Sequence, residues 1–63
     1  MYIGKRMKQY RKENGMTQKA FAEKVGILAS KISRIERGWI APTESQLEKI
    51  LREIGKEENT NDE

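Results

Sequence analysis

Five side chains that carry hydrogen-bond donors crowd into residues 30–37 of the stretch VGILASKISRIERG: Ser30, Lys31, Ser33, Arg34 and Arg37. Arginine offers a planar fork of donors, lysine a compact charge, and serine both a donor and an acceptor. Ile32 and Ile35 lie among them and read as the inward side of a helix, which leaves the polar residues on its outer side. Such a face suits either solvent or a polar partner. Covalent chemistry has little to work with. The chain contains no histidine and no cysteine, so the commonest general base, the commonest metal ligand and any thiolate are missing. It has no glycine loop built for phosphate and no pair of carboxylates in an evident cleft. Neither an enzyme nor a metal or cofactor site is expected.

Charge points to the same face. The net charge is +3 over 63 residues, but it is unevenly spread. Residues 1–42 hold ten basic and three acidic side chains, a balance of +7, and residues 43–63 hold three basic and seven acidic, a balance of −4. An asymmetry of this kind suggests that one end meets a polyanion, although an ordinary solvated basic surface would read alike. No apolar run approaches the roughly 20 residues of a membrane span, and no signal-peptide pattern is present. A soluble, cytoplasmic protein with no membrane partner is the expectation.

The elements that must position the polar face are all helical. Ile3, Met7 and Tyr10 recur at spacings of four and three and predict a helix over residues 3–14. Thr17 is a natural N-cap for a second helix over residues 18–25, with Phe21, Ala22 and Val25 inward. A third helix is expected over 29–37. Pro42 and the capping-box pair Thr43 and Gln46 open a fourth over 44–54, striped by Leu47, Ile50, Leu51 and Ile54. Gly15, Gly26, Gly38 and Gly55 each follow a periodic segment and are read as helix ends. Met7, Met16, Phe21, Ile32, Ile35, Leu47, Ile50 and Leu51 are expected in the core. The acids of the fourth helix are read as solvated, in pairs such as Glu48–Arg52 and Lys49–Glu53. The domain should cover residues 1–55, and residues 56–63, KEENTNDE, should form an acidic, disordered tail.

The second and third helices are short and the turn between them spans about three residues. Such a turn forces a steep crossing, as in a helix-turn-helix. The crossing needs a small residue on the second helix, a residue tolerant of positive φ in the turn, and apolar residues sealing the third helix. Ala22, Gly26, Ile32 and Ile35 satisfy these requirements together.

The segment TQKAFAEKVGILASKISRIERG resembles the helix-turn-helix of the Cro/C1-type family, the phage-repressor-like or XRE group of DNA-binding proteins. The preceding MKQYRKENGMTQ is similar to that family's first helix and turn, and RIERGWIAP to the end of its recognition helix and the following loop. The likeness extends over roughly residues 3–55. It implies an all-α, compact bundle of four or five helices that sets the third helix in the major groove of double-stranded DNA. Carried over by position, base-reading falls on Ala29, Ser30 and Arg34. Arginine can fork onto guanine O6 and N7, serine can meet several base edges, and alanine can pack on a thymine methyl. Gln18 matches a phosphate-contacting glutamine at the start of the second helix, where the helix dipole helps. Thr17, Lys31, Ser33, Arg37 and Trp39 are assigned to the DNA backbone. For Trp39, packing of the ring on the core or on Pro42 is the equal alternative. Arg11 and Glu36 match a pair that the family joins in a partly buried salt bridge.

Two positions depart from the pattern. Leu28 stands where serine or threonine usually caps the third helix, and loss of that cap costs about 1 kcal/mol. Either burial of Leu28 or a later cap at Ser30 should compensate, and the second would take Ser30 away from the bases. The C-terminus lacks the apolar residues for a fifth, dimer-supporting helix, so a homodimer must use helix four, its loop or another element. The function these features imply is a sequence-specific transcriptional regulator, a repressor on a palindromic operator. The alternative is an antitoxin or regulatory adaptor whose main partner is a protein, engaged through helix four or the acidic tail.

Overall fold

Each periodic segment forms one helix: α1 (Ile3–Glu13), α2 (Gln18–Val25), α3 (Ala29–Glu36) and α4 (Glu44–Glu58). The computed structural model describes residues 2–58, with side chains described as far as residue 55. Among the described residues the secondary structure is entirely helical. α3 packs on α1 and α2, and α4 closes the other side of the same two helices.

Local chemistry sets the ends. Thr17 caps α2, its hydroxyl accepting from the Ala20 N–H at 3.0 Å. Thr43 and Gln46 cap α4 reciprocally. The Gln46 N–H donates to Thr43 Oγ1 at 3.1 Å, and the Thr43 N–H to Gln46 Oε1 at 2.9 Å. Two orphan donors are satisfied at once. Gly26 takes φ 71°, a left-handed value that a side chain would strain. Its N–H and that of Ile27 both reach the Ala22 carbonyl, at 2.8 and 3.1 Å, which turns the chain sharply from α2 into α3. Ile27 is buried and seals the turn from inside.

The core forms where the four apolar stripes converge. Phe21, Met7, Ile32, Ile35 and Ile50 are its fully buried side chains. Tyr10 meets Phe21 edge-on, ring centroids 5.9 Å apart. Met16 packs partly buried at the margin, and Leu47 is half-buried.

Four expectations at the C-terminal end need correction. Gly55 does not end α4: it lies within the helix, which continues to Glu58. Glycine tolerates a helix interior at a cost of about 1 kcal/mol, and the Lys-Glu-Glu that follows is good helix-forming sequence. Residues 56–58 are therefore helical rather than disordered tail, and 59–63 lie outside the described residues. Leu51 is not core but 40% exposed. It is adjacent in sequence to the buried Ile50, which turns it about 100° around the helix and off the seam with α1 and α2. Glu53 is not solvated but buried. Tyr10 explains this: its ring belongs to the core, and its hydroxyl donates to Glu53 Oε2 at 2.8 Å. A buried phenol requires such an acceptor. Lys24 Nζ lies 4.0 Å from the same oxygen.

Candidate nucleic-acid interface

α3 is two-sided. Ile32, Ile35 and Glu36 are buried, while Ser30, Lys31, Arg34 and Arg37 are exposed and Ser33 is half-buried. Ser30, Arg34 and Arg37 follow at spacings of four and three, so they line one outer strip of the helix. Lys31 flanks that strip on one side and Ser33 on the other. Among the described residues, the side chains of Ser30 and Arg34 form no hydrogen bond or ion pair. Their donors are open to a partner.

The C-terminal end of α3 is held from behind. Arg11 of α1 grips the Glu36 carboxylate with two nitrogens. Nε donates to Oε2 at 2.6 Å and Nη2 to Oε1 at 2.8 Å, while Nη1 donates to the Met16 carbonyl at 3.0 Å. Gln18 Nε2 adds a third bond to Glu36, to Oε1 at 3.1 Å. The carboxylate side chain is only 4% exposed and the arginine side chain 12%. The hydrogen bonds to Glu36 hold the Arg11 guanidinium above its usual pKa, against the opposing effect of burial. One cluster thus ties α1, the start of α2 and the end of α3 together.

Two residues that the pattern reading passed over complete this anchor. Tyr2 donates its hydroxyl to the Glu36 carbonyl at 3.0 Å. Gly4 is buried where α1 crosses α3. A methyl there would collide with the Ile35 carbonyl oxygen and the Tyr2 ring, and would lie 3.0 Å from Glu36 Cα. Backbone atoms cannot step aside as a flexible side chain can. The available signal was a lone glycine inside a helical pattern, three residues before a core methionine, which usually has a packing reason.

The N-terminal end of α3 is bare. Leu28 occupies the N-cap position at φ −59° and ψ 139°, with no side-chain hydrogen bond. The N–H groups of Lys31 and Ile32 both reach its carbonyl, each at 3.0 Å, so the helix begins at Ala29. Leu28 is 68% exposed. Neither expected compensation occurs: the leucine is not buried, and Ser30 does not cap a shortened helix. Ser30 stands on the outer strip instead. Ala29 packs partly against the core.

Around this strip the remaining residues fall into place unevenly. Thr17 is exposed at the start of α2, its oxygen engaged as the cap. The Gln18 side chain is turned back to Glu36, which leaves chiefly its backbone N–H for an outside ligand. Trp39 does not pack into the core: it is 67% exposed. The Arg37 guanidinium lies over its ring at 4.9 Å from the centroid. Trp39 and Pro42 also line a shallow apolar groove with Tyr2 and Ile40. No described helix is long and apolar enough to cross a membrane.

Comparison with known proteins places this geometry. A helix-turn-helix family model matches residues 7–60. The chain is 38% identical over 52 residues to the HTH-type transcriptional regulator PuuR of Escherichia coli (strain K12), a match covering 82% of this chain and 28% of that protein. It is 47% identical over 49 residues to the HTH-type transcriptional regulator SinR of Bacillus subtilis (strain 168), covering 76% of this chain and 44% of SinR. An uncharacterized HTH-type transcriptional regulator of Methanothermobacter thermautotrophicus is 35% identical over 51 residues, covering 81% of this chain and 74% of that protein. The chain thus spans less than half the length of PuuR or SinR. No solved structure matches significantly. The matched region takes in the whole of α2, the tight turn and α3, and the chain belongs to the Cro/C1-type helix-turn-helix family.

Proposed function

We propose that this chain is a sequence-specific DNA-binding transcriptional regulator, a repressor that binds a two-fold symmetric operator as a homodimer. The observation that carries the reading is the outer strip of α3, whose Ser30 and Arg34 side chains are open while the opposite side of the helix is locked to the core. The relatives' printed roles as transcriptional regulators support it.

In this reading α3 lies in the major groove. Arg34 forks onto guanine O6 and N7, a contact worth about 1–3 kcal/mol of discrimination. Ser30 meets a neighbouring base edge, and Ala29 approaches the bases with what remains of its methyl surface. Lys31, Ser33, Arg37 and Trp39 approach the phosphates on either side. At the start of α2, the Thr17 hydroxyl and the Gln18 backbone N–H meet a further phosphate, aided by the helix dipole. These contacts fix register without reading sequence. A second copy packs through α4, where exposed Leu51 and half-buried Leu47 share a shallow depression with Glu44 and Glu48. The half-sites then fall about one helical turn apart.

The test is titration of duplexes selected from a random pool, against scrambled controls, at several salt concentrations. Preference for selected sequence, with affinity falling steeply as salt rises, is expected. Equal binding to scrambled duplex, or no dependence on salt, would refute the reading.

A further inference from the structure

Leu28 has neither of the usual reasons for its place. A leucine is normally buried, yet this one is 68% exposed. An N-cap residue normally offers an acceptor to the first N–H groups of its helix, yet this one makes no side-chain hydrogen bond. Its position is informative. It directly precedes Ala29 and Ser30, two of the residues placed at the bases in the reading above. Beneath it runs a shallow groove of about 420 Å³, bordered by Lys19 and Glu23 of α2 and by Ala29. Ala29 itself is partly packed against the core, so its methyl has little surface left to offer.

The major groove presents one apolar group, the C5-methyl of thymine. We infer that Leu28 packs on a thymine methyl and is a specificity-determining residue at that base pair. This inference rests on the DNA-binding reading. Leucine at this position then exchanges a helix cap for apolar contact area, which becomes buried only on DNA. Because the contact is apolar, it releases no counterion, and its loss leaves the salt dependence of binding unchanged.

The experiment uses the full chain and an operator selected from a random duplex pool. Each thymine is replaced in turn by deoxyuridine, which removes only the methyl group. Affinities are measured for the native chain and for Leu28→Ala at two salt concentrations. Because Leu28 is exposed, the variant should keep its helical content, which circular dichroism checks. One thymine per half-site should show about a three- to tenfold loss on methyl removal in the native chain, the scale of one buried methyl group. Leu28→Ala should abolish that difference while keeping the salt slope. Harmless uracil at every position, or the same methyl penalty in Leu28→Ala, overturns the inference and leaves the DNA-binding reading standing. A change in dimerisation with no methyl effect assigns Leu28 to a second copy instead and also overturns it. Failure of any sequence to be selected overturns both.

Discussion

The two ends of α3 are built on opposite principles. At its C-terminal end the inward-facing polar groups all have partners. Glu36 is buried under Arg11 and Gln18, its carbonyl accepts from Tyr2, and the backbone is so close to Gly4 that no side chain fits between. At its N-terminal end the cap position holds an exposed leucine with no hydrogen bond, and Ser30 stands open beside it. One end fixes where the helix lies, and the other is available to something outside the molecule. A helix that must enter a groove needs this division: rigid support behind and unsatisfied donors in front.

The largest effect should come from breaking the anchored end. Arg11→Ala leaves Glu36 buried without its main partner and should cost about 3–5 kcal/mol. A domain this small has a total stability of only a few kcal/mol, so urea titration should find the variant largely unfolded. Paired replacement, Arg11→Met with Glu36→Leu, removes both charges together and should recover most of the loss. If the double variant is as unstable as the single one, the cost lies elsewhere than in an orphaned charge.

Gly4→Ala comes next. Alanine favours a helix by about 1 kcal/mol over glycine, yet here overpacking against backbone should give a net destabilisation of about 1–3 kcal/mol. The thermal midpoint reports the sign, and a stabilised variant would show that α1 and α3 are not in close approach.

At the bare end the sign reverses. Leu28→Ser restores a cap and should stabilise the domain by about 1 kcal/mol. For a chain of this size that raises the melting temperature by about 4–8 °C. A lower melting temperature would mean that Leu28 contributes to the folded state in a way its exposure does not suggest.

Much of this contrast was legible in the sequence. Periodicity located all four helices, with α1 and α3 ending within one residue of expectation, because apolar stripes and caps are local signals. Thr17, Thr43, Gln46 and Gly26 act as their residue types suggest. Apart from the run of α4 past Gly55, the misses were non-local. Glu53 is buried because Tyr10, 43 residues earlier in the chain, needs an acceptor. Leu51 is exposed because α4 turns Ile50 and Ile54 into the core, and periodicity alone could not choose between the two sides of a broad stripe. Tyr2 and Gly4 matter only because α1 crosses the end of α3. The Gln18 side chain, read as a phosphate ligand, turns inward because Glu36 retains room for a third donor.

The most direct test of the account is to select binding sites from a random duplex pool with the native chain and, in parallel, with Arg34→Ala. The native chain should enrich a two-fold symmetric site with a guanine at a fixed position in each half. Arg34→Ala should lose preference at that position alone, by about 1–3 kcal/mol, and keep the rest of the site. Enrichment of no sequence by the native chain, or of identical sites by both proteins, would contradict the claim that the open strip of α3 reads DNA.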